Sequence, residues 1–84
     1  MAVSRRWTRA QSSRDIGRFV KQARRRQGMS QGALAADLGL TRQYVSEMES
    51  GAGNLYITRL FEILDELGIE VRLVEQEADG RDGD

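Results

Sequence analysis

Thr41, Arg42, Gln43 and Ser46 stand within two turns of one another, and together they carry the groups that read base-pair edges in the major groove. An arginine fork pairs with guanine O6 and N7, a glutamine amide pairs with adenine N6 and N7, and hydroxyls serve either. Upstream, Ser30 and Gln31 open another segment, where free backbone N–H groups and the positive end of a helix suit a phosphate oxygen. Ser30 is equally explained as a plain cap. The Tyr44 hydroxyl can rest on a phosphate, or its ring can simply cover the rim of the core. Asn54, ahead of a further helix, can hold a phosphate in the same way. The expected base contacts are therefore Thr41, Arg42, Gln43 and Ser46, and the expected phosphate contacts are Ser30, Gln31, Tyr44 and Asn54.

Those side chains act only if helices hold them in place, and the sequence marks four. Ser12 or Ser13 caps the first, with Asp15 in its opening turn and Ile16, Phe19, Val20 and Ala23 at i, i+3, i+4, i+7; Gly28 ends it. Arg14, Arg18, Lys21 and Arg25 take its opposite face. Ser30 caps a short second helix with Ala33, Leu34 and Leu38 inward, stopped by Gly39. Thr41 caps a third, with Val45 and Met48 inward and Arg42, Gln43, Ser46 and Glu47 projecting elsewhere. Helix, short glycine-containing turn, helix is the helix-turn-helix spacing. A fourth helix follows, with Ile57, Leu60, Phe61, Leu64 and Leu67 at helical spacing, ended by Gly68. The period then becomes two: Ile69, Val71 and Leu73 alternate with polar neighbours, which predicts a strand over 69–74. One strand cannot satisfy its own ladder, so the expected partner is the same strand of a second copy.

The 84 residues hold thirteen basic and thirteen acidic side chains, with no cysteine, histidine or proline. Thiol nucleophiles, Cys/His zinc sites and histidine-based triads are excluded. Glu62, Asp65 and Glu66 on the fourth helix form a solvated face, not a paired-acid site. No catalytic residue, metal ligand or cofactor is expected, so the chain reads as a non-enzyme. No apolar run reaches membrane-spanning length and no secretory signal is visible, which predicts a soluble, cytoplasmic protein. Neutrality conceals a division: residues 1–42 carry ten basic side chains against two acids, and residues 43–84 carry three against eleven. One face is thus suited to a polyanion. Residues 1–11 read as a flexible basic arm, in which Arg5, Arg6, Trp7 and Arg9 can reach nearby DNA or merely attract it. Residues 75–84 read as a disordered acidic tail.

The run from Ala23 to Ala35, with its RxxxGxSQxxLA spacing, the Leu38-Gly39-Leu40 turn and the YVSxxExG pattern from Tyr44 to Gly51 resemble the Cro/C1-type (XRE) helix-turn-helix family. The resemblance spans 12–68 and implies a mainly α, lambda-repressor-like bundle that binds DNA. It also makes Gln31 the match of the family's phosphate-binding glutamine. Arg24 and Glu49 match its internal ion pair, and are read as structural. The fourth helix running into Gly68-Ile69-Glu70-Val71-Arg72-Leu73-Val74 is similar to the HipB-type antitoxins. That likeness implies dimerisation through Ile69, Val71 and Leu73, repression of transcription at double-stranded operator DNA, and a HipA-like kinase toxin as partner. Two other readings stand beside it: a standalone XRE regulator without a toxin, and a helix-turn-helix module that docks an acidic protein.

Overall fold

A computed structural model describes residues 6–76. The elements run β1 (Trp7–Ala10), α1 (Ser13–Arg26), α2 (Gln31–Leu38), α3 (Arg42–Glu49), α4 (Leu55–Glu66) and β2 (Val71–Val74). Each helix opens on a side-chain cap that satisfies one of its otherwise unpaired N–H groups. Ser12 Oγ accepts from the Asp15 N–H at 3.4 Å, and Ser30 Oγ, Thr41 Oγ1 and Asn54 Oδ1 accept from Ala33, Tyr44 and Ile57 at 3.0 Å each. Asp15 also reaches back to accept from the Gln11 N–H at 2.7 Å. Between α2 and α3, Gly39 adopts φ 69°, a left-handed conformation that a side chain would strain, and so turns the chain within three residues.

The N-terminal segment corrects two expectations. Residues 7–10 are not a flexible arm but a strand, antiparallel to β2, with Trp7 opposite Val74 and Ala10 opposite Val71. The partner that β2 needs therefore comes from its own chain, and the ladder does not require a second copy. Thr8, Ala10, Val71 and Leu73 turn inward, where Ala10 is buried and the other three are half-buried. Trp7, Arg9, Arg72 and Val74 face out, with the Arg72 guanidinium 5.0 Å from the Trp7 ring centroid. The strand is also shorter than expected: the Ile69 N–H donates to the Leu64 carbonyl at 2.8 Å, so Ile69 belongs to the close of α4. Glu75, expected in a disordered tail, is tied down instead. Its N–H donates to the Arg6 carbonyl at 2.9 Å, and its carboxylate accepts from Arg26 at the end of α1. The rest of the expected arm (residues 1–5) and of the expected tail (residues 77–84) lies outside the described residues.

The core sits where α1, α2 and α3 meet. Val45 is 1% exposed and Ala35 3%, while Ala33 and Leu38, expected inward on α2, are exposed. Ala35 is the one buried residue of α2 and so marks the face of that helix that turns in. Gly17 allows the tightest approach of all. A Cβ there would stand 2.3 Å from the Met48 carbonyl oxygen and 2.7 Å from that of Glu49, both rigid backbone. Gly17→Ala is expected to cost on the order of 3 kcal/mol, since helix α3 must move as a body to make room. Urea denaturation checks this, and an unchanged midpoint contradicts it.

Helix α4 is the least buried element. Ile57, Phe61 and Leu64 are half-buried against the rest of the chain, but no residue of α4 is fully buried. Leu60 and Leu67, expected inward, are 38% and 66% exposed. Clefts of 370 and 460 Å³ open along this helix, one toward β1 and β2, the other toward α1 and α3.

Candidate nucleic-acid interface

The N-termini of α2 and α3 present the groups that the sequence singled out. At α2, the Ala33 and Leu34 N–H groups are taken by Ser30, which leaves the N–H groups of Gln31 and Gly32 to a ligand. At α3, Tyr44 and Val45 donate to Thr41, so the N–H groups of Arg42 and Gln43 remain. Thr41, Arg42, Gln43 and Ser46 are all exposed. Arg42 makes no salt bridge among the described residues, and neither do Arg14, Arg18, Lys21 and Arg25 on α1. None of these five cations is paired with a carboxylate among the described residues, which leaves them available to a polyanion.

Asn54 Oδ1 is taken by the α4 cap, which leaves its amide hydrogens, and the Tyr44 ring is exposed at the edge of α3 instead of sealing the core. Ser30 is a cap, as its position suggested.

Arg24 and Glu49 form the anchor behind this surface. Arg24 Nε donates to Glu49 Oε2 at 2.7 Å and Nη2 to Oε1 at 2.9 Å, a bidentate pair whose side chains are 9% and 2% exposed. The remaining Arg24 nitrogen, Nη1, donates to the Met29 carbonyl at 2.7 Å. Gln31 Nε2 adds a donor to Glu49 Oε1 at 3.0 Å. One buried carboxylate thereby joins the end of α1, the connection before α2, the first residue of α2 and the last residue of α3. Gln31 is drawn into this network, yet its second amide hydrogen stays free for a phosphate. Every guanidinium nitrogen of Arg24 and both oxygens of Glu49 have a hydrogen-bond partner, which is the condition under which a buried charge is tolerated.

The hydrogen bonds from Arg24, then those from Gln31, hold the Glu49 carboxyl below its ordinary value of 4.5 despite burial. A carboxyl whose folded pKa is depressed contributes stability that is present above its unfolded pKa and lost as pH falls toward the folded value. Stability is thus expected to be level from about pH 8 to about pH 5 and to decline below about 4.5. Glu70 and Glu75 are lowered too, by Arg72 and Arg26, but as pairs nearer the solvent they add little. Urea midpoints measured across this range test the point: Glu49→Gln should flatten the acid limb, and an unaltered limb would assign the acid sensitivity to other groups.

Sequence reasoning turned Glu47 outward on the third helix and gave it no role. It is exposed on α3, and its Oε2 accepts from Gln43 Nε2 at 3.1 Å. The spacing of 43 and 47 at i, i+4 was the available signal.

Two short helices joined by a left-handed glycine, with the second presenting an exposed polar first turn, define a lambda-repressor-like helix-turn-helix domain. The chain belongs to the XRE-type helix-turn-helix family: the helix-turn-helix family model matches residues 20–74. The match takes in the second half of α1 and all of α2, α3, α4 and β2, whereas β1 precedes it. Among curated proteins, the chain is 41% identical over 54 residues to an "Uncharacterized HTH-type transcriptional regulator y4aM" of Sinorhizobium fredii. That alignment covers 64% of this chain and 38% of the relative, so the likeness is to one part of a longer protein. No solved structure matches with significance.

Proposed function

We propose that this protein is a sequence-specific DNA-binding transcriptional regulator that acts as a dimeric repressor. The observation that carries the reading is the exposed face formed by Thr41, Arg42, Gln43 and Ser46, beside a helix N-terminus with two uncommitted N–H groups. α3 enters the major groove with its first turns on base edges, while α2 and the cations of α1 hold phosphates. The relative's description as a transcriptional regulator supports the same conclusion. Gel shifts and footprinting on the DNA upstream of the protein's own gene test it. Two protected half-sites about 34 Å apart are expected, and no shift at low salt refutes it.

The case for a dimer now rests on α4 and not on an unpaired strand. Tyr56, Leu60, Ile63 and Leu67, at i, i+4, i+7, i+11, form an exposed apolar stripe on α4, on a different side from the half-buried Ile57, Phe61 and Leu64. A helix apolar on two faces is covered on both. Only Ala10, Ala35 and Val45 are buried apolar residues among those described, which is a thin core for a chain of this size. A second copy packed on this stripe would supply the missing burial, with the outer edge of β2 free to extend the sheet across a two-fold axis. Ile63→Glu is expected to give a monomer by analytical ultracentrifugation with a much weaker affinity for paired half-sites. A variant that remains dimeric places the interface elsewhere.

The antitoxin reading rests on the α4-to-β2 segment and its resemblance to HipB-type proteins. It predicts a HipA-like kinase toxin encoded beside this gene, and a stable complex on co-expression of the two. A locus without such a kinase leaves a standalone XRE regulator with the same DNA mechanism.

A further inference from the structure

The reading face of α3 carries one feature that affinity for a polyanion does not explain. Glu47 is exposed, lies one turn beyond Gln43, and makes no salt bridge with Lys or Arg among the described residues. An unneutralised carboxylate on a surface that meets phosphates is repelled, unless something in the groove gives it a hydrogen. In the major groove the available donors are the amino groups of cytosine N4 and adenine N6, and the carboxylate, which only accepts, suits cytosine.

The hydrogen bond from Gln43 Nε2 to Glu47 Oε2 adds a second consequence. It fixes which end of the Gln43 amide is nitrogen, and it consumes one of the two amide hydrogens. The other hydrogen and the carbonyl oxygen remain, and that donor-acceptor pair is the complement of adenine N7 and N6. Glu47 Oε1 makes no other hydrogen bond among the described side chains.

We propose that Glu47 is a specificity-determining residue of the DNA-reading helix. It accepts a hydrogen bond from a cytosine amino group next to the adenine read by Gln43, holds Gln43 in its adenine-reading orientation, and repels duplexes that offer no donor at that place. This inference rests on the DNA-binding reading, and the experiment separates the two.

The test is selection from a randomised duplex library by the purified full chain, followed by affinity measurements on single-base-pair variants of the selected site. Wild type, Glu47→Gln, Glu47→Ala and Arg42→Ala are compared, all of them exposed substitutions on a fold held from behind. For Glu47→Ala the expected result is loss of preference at one cytosine-bearing base pair per half-site by roughly 5- to 150-fold, with weakened adenine preference beside it. Affinity for unrelated duplex should rise at the same time. Glu47→Gln should accept a changed base at that position. If both variants keep the wild-type preference at every position while Arg42→Ala alters it, DNA reading stands and the role of Glu47 is refuted. If wild type enriches no sequence, both fall together.

Discussion

Arg42→Ala combined with Gln43→Ala is expected to remove selective DNA binding while leaving the fold intact. Both side chains are exposed and Arg42 makes no salt bridge among the described residues, so their loss opens no cavity and strands no buried group. Each bidentate contact to a base is worth about 1–3 kcal/mol of discrimination. A two-fold dimer would count each residue twice, and the smallest total, about 4 kcal/mol, is roughly a thousandfold in affinity for the preferred site. Binding to unrelated duplex should change far less, because it depends on phosphate contacts from α1 and from the helix N-termini. Anisotropy titrations against the selected site and a scrambled control measure both. A protein-docking role for the same helix predicts instead that the double variant keeps its main activity.

Glu49→Ala should have the largest effect on stability. It leaves the Arg24 guanidinium, 9% exposed, without its carboxylate, and it releases Gln31. Breaking one partner of a buried pair costs about 3–5 kcal/mol. For a domain of this size that corresponds to a fall in Tm of more than about 12 °C. The Arg24–Glu49 pair also sets the relation of α2 to α3, so DNA affinity should decline even below the melting transition. Calorimetry checks the first effect, and a Tm within a few degrees of wild type would mean the pair is replaceable by water. Glu49→Gln retains an acceptor for Arg24 and should lose less.

The helices were legible because each announces itself locally. Ser12, Ser30 and Thr41 are side-chain caps that could be read in advance, and the glycines mark the stops; the Asn54 cap of α4 was not read from the sequence. The helix-turn-helix followed from that punctuation, and the Arg24–Glu49 pair from the likeness to the XRE family. β1 was hidden because four residues carry too little alternation to be seen. Its inward side chains are Thr8 and Ala10, and its largest apolar residue, Trp7, faces out. Once β1 was missed, β2 seemed to need a second chain. Ala35 was hidden for a similar reason, since a small buried residue adds little to a periodic pattern that Leu38 dominates. Gly17 did leave a trace: a glycine inside a helix costs about 1 kcal/mol relative to alanine, and close backbone contact is what offsets it. The inward face of α4 was misread for a different reason. Its apolar residues nearly encircle the helix, so spacing alone could not say which stripe faces the chain and which faces outward.

The central claim is that α3 reads sequence and does not merely supply charge to a polyanion. Equilibrium affinities for the upstream DNA and for a scrambled duplex of equal length, measured over a series of salt concentrations, test it most directly. Both affinities should fall with salt, by about 0.9 in the log-log slope for each phosphate neutralised. The preference for the upstream DNA should persist throughout, and should vanish in the Arg42→Ala, Gln43→Ala protein. Equal affinities for the two duplexes at every salt concentration would contradict the account.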